Sequence, residues 1–526
     1  MEDQRQIIEQ LKKTLQLLTV EAETSKSTES KESSSKKADV FTPLMTATTA
    51  NDEVNIMHTY EDCANEFINF QYANPTTYHV VEHFAKLLES KGFKYLCEKG
   101  NWDHCANGSK GGLFYTIRNG TNLVAWAIGD KWKYKRGVGA VASHIDSLTV
   151  KLKPASIKDS VEGYELLGVA PYGGTLNQAW FDRDLGIAGR VLIRTPGESE
   201  IKSVLIDSTP HPIGRIPSLA PHFGKPAEGP FDKEDQAVPV IGFGWDEDSE
   251  PANENEKTSP LYGKHPIQLL RYIAKLANVK VCQLLQLDLD LFDVQKGTLG
   301  GLNKEFIFAP RVDDRLCSFA ALICLAHYAE NFDLANLDTF NMVALFDNEE
   351  VGSLTRQGAR GGLLESVVTR VATARNKKES PPDMRTLFAN SIILSADVNH
   401  LFNPNFKDVY MKNHSPKPNV GITLSLDPNG HMATDAVGVT FVEELGRKND
   451  DKIQYFQIKN NSRSGGTIGP FLASQTGART IDLGIAQLSM HSIRAATGTR
   501  DVGLGIKFFR NFFDNWRSTY DNFADL

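Results

Sequence analysis

The sequence predicts an α/β fold, a sheet covered by helices on both faces, with a mostly β insert and a helical N-terminal appendage. Three observations predict it. Four short apolar or small-residue runs, at 137–142, 342–346, 392–394 and 481–485, have the unbroken character of strands buried on both faces. Helical periodicity appears between such runs, as in Leu316, Phe319, Leu322, Ile323 and Ala326. From about 150 to 300 the alternation gives way to short segments rich in Gly, Pro and β-formers, such as VAPYGGTLNQAWFDRDLGIAGRVLIRT.

In chain order, Ile7, Ile8, Leu11, Leu15 and Leu18 share one face of an amphipathic helix over 4–20. Residues 21–40 are Ser, Lys and Glu with almost no apolar content, so they predict a flexible tether. A helix on a tether is either a terminal helix docked on its own domain or a detachable propeptide. As a propeptide it would self-associate or meet a partner helix in a groove. The folded body is expected to begin near residue 54. Asn74-Pro75-Thr76-Thr77 offers capping residues before a helix carrying Val80, Val81, Phe84, Leu87 and Leu88, and Gly92 marks its end. An acidic loop, Trp245 to Pro260, interrupts the insert. The expected divisions are a propeptide at 1–45, a catalytic domain at 46–150 and 301–526, and a β-rich insert at 151–300. No internal repeats are found.

The chain has 526 residues, 41% of them hydrophobic, and a net charge of -8. Charges of both signs are mixed along most of its length, without the basic stripe that nucleic-acid binding needs. No apolar stretch reaches the roughly 18 residues of a bilayer span. The start, MEDQRQIIEQLKK, lacks the apolar core of a secretory signal. The six cysteines are scattered with no CxxC pair, which predicts reduced intracellular thiols.

Five segments place carboxylates and histidines where strands end or helices open. They are Ser143-His144-Ile145-Asp146, Val312-Asp313-Asp314, Asp347-Asn348-Glu349-Glu350, Ser395-Ala396-Asp397 and Ser489-Met490-His491. In open α/β sheets, sites form outside the carboxyl ends of the strands. This inventory suits two adjacent hydrolytic zinc ions, which need a shared anionic bridge. Asp313 is the expected bridge, with His144 and Asp397 on one ion and Glu350 and His491 on the other. Manganese or cobalt could use the same ligands. Adjacent residues at a strand end point different ways, so Glu349 is left free as general base. Asp146, two residues beyond His144, returns to the same side of an extended chain and can fix the imidazole tautomer.

NPTTYHV, SHIDSLTVK, VAPYGGTLN, DRDLG, APRVDDR, DNEEVGS, SADVNH, GGTIGP and LSMHSIR resemble the M18 family of metalloaminopeptidases, from about residue 55 to the C-terminus. The N-terminal helix and tether are similar to the propeptide of its fungal vacuolar branch. The resemblance implies a zinc-exopeptidase-like mixed sheet and a dimerisation role for the insert. It implies the same ligands, His144, Asp313, Glu350, Asp397 and His491, with Glu349 as base and Asp146 as orienting aspartate. It puts on His222 the role of reaching a neighbouring subunit's site. Gly465 and Gly466 of GGTIGP and His400 of SADVNH are expected to contact substrate. The family implies a homo-dodecamer acting on peptides. The vacuolar branch implies a cytoplasmic precursor whose N-terminal helix binds an autophagy receptor before delivery to the vacuole and propeptide removal.

Acid-selective relatives carry a lysine in the loop that here reads Leu426-Asp427-Pro428-Asn429-Gly430-His431-Met432-Ala433-Thr434. Its absence predicts a neutral, Leu-like P1 residue. Two other functions fit the inventory less well. A carboxypeptidase or other dinuclear amidohydrolase would need a cation for the substrate carboxylate. A non-catalytic cargo scaffold with a structural metal would not need the spare Glu349.

Overall fold

In the computed structural model, which describes residues 50–103, 110–245, 250–330, 333–376 and 381–526, two helices lead into a ten-stranded sheet. They are α1 (Ala50–Ala73) and α2 (Thr77–Ser90). Strands β1 (Lys94–Tyr95), β2 (Gly112–Arg118), β3 (Asn122–Ile128) and β4 (Gly139–His144) follow. The chain then leaves for a second sheet of β5 (Thr149–Ile157), β6 (Tyr164–Tyr172), β7 (Leu185–Ile193), β8 (Lys202–Asp207), β9 (Val240–Phe243) and β10 (Leu284–Asp293). Helix α3 (Ile267–Leu276) packs into the core of that sheet. Strands β11 (Thr298–Gly300) and β12 (Phe306–Ala309) precede α4 (Val312–Glu330). The main sheet resumes with β13 (Phe340–Phe346), followed by α5 (Leu363–Arg375), α6 (Met384–Ala389), β14 (Ile392–Ala396), β15 (Asn399–His400) and β16 (Ile422–Ser425). Then come α7 (Ala436–Asn449), β17 (Gln454–Phe456), α8 (Gly469–Thr476), β18 (Arg479–Gln487), β19 (Ala495–Gly498) and α9 (Asp501–Tyr520). The helix expected over 4–20 and the tether over 21–40 lie outside the described residues, as does the 1–45 segment that contains them.

The main sheet has the order β1-β2-β3-β13-β4-β14-β18-β16-β17, with β15 beside β18. Its centre, β13, β4, β14 and β18, is parallel. Antiparallel β3 and β16 flank that centre, so the sheet is mixed. Successive side chains alternate between two cores. Val343 and Leu345 of β13 face the side covered by α2, α4 and α9, where Phe84, Phe319 and Phe512 are buried. Phe340, Met342, Ala344 and Phe346 face the side covered by α5, where Leu364 and Val368 are buried. Burial on both faces is why these strands have apolar runs without a polar alternation.

The second sheet is antiparallel, ordered β8-β7-β10-β5-β6-β9. Its core includes Val150, Ile187, Val191 and Leu291 beneath Leu270 and Ile273 of α3. The described part of the acidic loop is anchored: Arg271 of α3 donates through Nε and Nη2 to Glu256, at 2.7 and 2.8 Å.

One local expectation is corrected. Thr76 precedes α2 but makes no side-chain cap bond. Its hydroxyl lies 2.8 Å from His79 Nδ1, and Asn74 Nδ2 donates back to Phe70 O at 2.8 Å. The helix forms because Val80, Val81, Phe84 and Leu88 bury one stripe. It stops at Gly92, whose φ of 85° few other residues adopt. The described cysteines, Cys63, Cys97, Cys282, Cys317 and Cys324, are free thiols. Among the described residues no helix is long and apolar enough to cross a membrane.

Candidate metal centre

The parallel register sets three strand ends level. His144 at the end of β4 lies opposite Phe346 at the end of β13, and Ala142 lies opposite Ser395 of β14. One or a few residues further on, the chain delivers Glu349 and Glu350 after β13 and Asp397 after β14. Glu349–Val351 is a single tight turn entered through Asn348, whose φ is 61°. His491 follows β18 in a loop where Ser489 and His491 take φ of 60° and 64°. Left-handed backbone at non-glycine residues is held only where surrounding contacts demand it. Asp313 and Asp314 enter α4 with non-helical backbone, and the peptide joining them is cis.

These side chains form two groups that share one member: His144, Asp313 and Asp397, and Asp313, Glu350 and His491. His144 Nε2 lies 3.4 Å from Asp313 Oδ1 and 3.5 Å from Asp397 Oδ1. His491 Nε2 lies 3.6 Å from both Asp313 Oδ2 and Glu350 Oε2. Such separations are long for hydrogen bonds. They match the edges of a tetrahedron with zinc at its centre, roughly 3.3–3.4 Å for arms of about 2.0–2.1 Å. Each group supplies three protein atoms, which leaves a fourth position for water or substrate. The donor set therefore fits zinc. Glu350 Oε1 is buried with no partner among the described residues, as expected of a carboxylate that awaits a cation.

The electrostatics point the same way. Burial raises Glu350 and Asp397 above the ordinary carboxylate range, and the charge of Asp313 adds to both. Burial pushes Glu349 up to about 8, against the pull of His144. Asp314 is fully buried and raised for the same reason, although Ser143 Oγ donates to it at 2.6 Å. Burial would lower His144, yet Asp397, Asp146 and Asp313 together hold it well above its usual value. Crowded buried carboxyls repel one another, and cations placed among them relieve that repulsion.

The remaining expected residues fall as follows. His144 Nδ1 lies 3.0 Å from the Asp146 carbonyl oxygen and 3.4 Å from its carboxylate. A carbonyl can only accept, so Nδ1 carries a hydrogen, and Nε2, on the side of Asp313 and Asp397, is the nitrogen left to give its lone pair to a metal held there. The Asp146 carboxylate accepts from the backbone N–H of Glu349 and of Glu350, both at 3.1 Å. Glu349 shares the turn with Glu350 but belongs to neither ligating group. His400 is half-buried, packs against Phe456 with ring centroids 5.2 Å apart and the planes tilted by 50°, and has Asp313 and His491 among its charged neighbours. Gly465 and Gly466 are exposed in the loop before α8, outside the cluster. His222 lies on the exposed turn Pro221–Phe223 of the second sheet, also outside it.

Three contributors went unassigned in the sequence. Asp314 sits beneath His144 through Ser143. Tyr172 donates to Asp146, and Asn348 donates to Tyr172. Tyr172 lies in the VAPYGGTLN segment, but no spacing rule connects it to a residue 26 positions away.

A family model described as aminopeptidase I zinc metalloprotease (M18) matches residues 70–513. The chain is 65% identical to vacuolar aminopeptidase 1 of Saccharomyces cerevisiae, over the whole of both chains. A solved mApe1 dodecamer from S. cerevisiae superposes with a TM-score of 0.81 at 63% identity, over 89% of this chain and 100% of that one. A solved complex of Ape4 and Nbr1 gives 0.82 at 33% identity, over 88% of this chain and 87% of that one.

Proposed function

As the chain belongs to the M18 family of aminopeptidase I zinc metalloproteases, we propose that it releases N-terminal residues from peptides with two zinc ions held side by side. His144 and Asp397 would hold one ion, Glu350 and His491 the other, and Asp313 would give an oxygen to each. The observation that carries this reading is the division of Asp313: Oδ1 faces His144 while Oδ2 faces His491.

When bound, the metal pair supplies Lewis acidity, making a water nucleophilic near neutral pH and polarising the scissile carbonyl. Glu349 takes the water proton and passes it to the leaving amine nitrogen. Asp146 holds the His144 tautomer through its main-chain carbonyl and ties the Glu349–Glu350 turn through its carboxylate. The carboxylates around the centre suit a substrate with a free α-amine better than one with a free carboxylate. The 426–434 loop has no lysine or arginine, and its His431 is engaged by Asp427 at 2.6 Å. That supports a neutral P1 residue such as Leu, contacted from His400 and from the Gly465-Gly466 loop.

Residues 46–150 and 301–526 are assigned to catalysis, and 151–300 to contact between subunits. The exposed position of His222 supports a reach into a neighbour's site. Assembly as a dodecamer is supported by the mApe1 dodecamer. Residues 1–45 are assigned as a propeptide that meets an autophagy receptor; that the relative Ape4 is solved in complex with Nbr1 supports a protein partner. Delivery of the precursor to the vacuole is supported by identity to the yeast vacuolar enzyme over the whole chain.

The test is metal content per assembled chain, measured with leucine anilide turnover before and after chelation. Two zinc ions per active chain, lost and regained with activity, are expected. Full turnover with one ion or none would sink the proposal.

A further inference from the structure

We infer that Tyr172 is a positioning residue for this centre, through which the second sheet holds Asp146. The inference rests on the role given above to Asp146 and His144.

A carboxylate offers about four acceptor directions. Asp146 uses three of them in hydrogen bonds, and the fourth side faces His144 Nδ1, whose hydrogen goes to the Asp146 carbonyl. Oδ1 takes the Glu349 N–H at 3.1 Å and faces His144 Nδ1 at 3.4 Å. Oδ2 takes the Glu350 N–H at 3.1 Å and the Tyr172 hydroxyl at 2.7 Å. The two backbone donors belong to the turn that carries a zinc ligand and the base. Tyr172 alone comes from the second sheet, where it is the last residue of β6.

Two features aim its hydroxyl. Asn348 Nδ2 donates to the Tyr172 oxygen at 2.9 Å. That occupies an acceptor direction, so the phenolic hydrogen is left to point at Asp146. The first hairpin of the sheet fixes the ring: Tyr172 pairs with Thr149, three residues beyond Asp146. Tyr172 N also donates to Thr175 Oγ1 at 3.1 Å, which holds the corner after β6. The chain that leaves His144 is thus met by the returning strand of the same hairpin, which grips the carboxylate of the residue that holds both His144 and the Glu349–Glu350 turn. Without the hydroxyl, Asp146 loses its shortest hydrogen bond and both the imidazole and the turn loosen.

The test uses full-length, zinc-loaded protein carrying Tyr172→Phe, which keeps the ring and removes only the oxygen. The chelator concentration that strips half the zinc should fall about tenfold and kcat on leucine anilide about 10–100-fold, with KM within about twofold. Zinc retention and kcat both within about twofold of wild type overturn the inference. In an Asp146→Asn background the effect of Tyr172→Phe on zinc retention should vanish. An undiminished effect there would mean general weakening of the fold and would also overturn it. Should Tyr172→Phe fail to assemble, Asn348→Ala, which frees the hydroxyl to rotate, should give the same loss in smaller measure; unchanged retention overturns the inference. If wild-type protein holds zinc but cleaves no aminoacyl anilide, the aminopeptidase reading fails while zinc retention still decides the role of Tyr172.

Discussion

Gly484 lies against the main chain of Asp397, so closely that a Cβ built on Gly484 would overlap the Asp397 carbonyl. The contact is backbone to backbone, and Asp397 N donates to the neighbouring Leu483 O at 2.9 Å. A methyl group there has no flexible side chain to displace. Gly484→Ala should therefore push Asp397 away from His144. Zinc per chain should fall and turnover should drop about 100-fold, as small misplacements at a reacting centre do. Elemental analysis of the purified variant checks this, and a full complement of metal would contradict it.

Glu349→Gln should keep both metals, because Glu349 belongs to neither ligating group. The amide cannot accept the water proton, so kcat should fall by about 100-fold to 10,000-fold. Metal content and single-turnover kinetics on the same sample separate the two effects. Normal turnover would remove Glu349 as the base.

Leucine anilide should be cleaved at least about tenfold faster than aspartic anilide, since no free cation in the 426–434 loop meets an acidic side chain. Acetylating the substrate's α-amine should abolish cleavage of either. Faster cleavage of the aspartic compound would refute the neutral preference. Hydrolysis of acetylated substrate would favour a different amidohydrolase.

His265 couples the second sheet to pH. It is buried, with Nδ1 2.8 Å from Ser156 Oγ and Nε2 unpartnered among the described residues. Burial, aided by Lys264, lowers its pKa to about 4, whereas the unfolded chain takes the proton near 6.5. Between those values the unfolded state binds more protons, so stability is lost as pH falls through that window. Melting temperature should drop more between pH 7 and pH 5 for wild type than for His265→Gln. Equal drops would rule out His265 as the cause.

Strands β4, β13, β14 and β18 could be read in the sequence because burial on both faces makes each an unbroken apolar run. The reactive residues just past their ends could be read for the same reason. The order β13-β4-β14-β18 could not, since it depends on pairing between distant segments. Nor could the fate of Thr76, whose hydroxyl is taken by His79 rather than by the helix backbone. The part played by Tyr172 arises from hairpin register, which composition does not encode. The split of Asp313 between two groups was expected from the need for a bridge. The longer N–O separation from the Asp146 carboxylate than from its carbonyl was not, because both atoms belong to one residue.

The stem of the β5–β6 hairpin has a further consequence. Residues 145–148 are all that separate His144 from β5, so the near end of the second sheet has no slack. The far end, where the exposed β7–β8 turn at 196–201 lies, is a full strand away from that junction. The distal tip can therefore change without moving a ligand, while the root is held by the chemistry it borders.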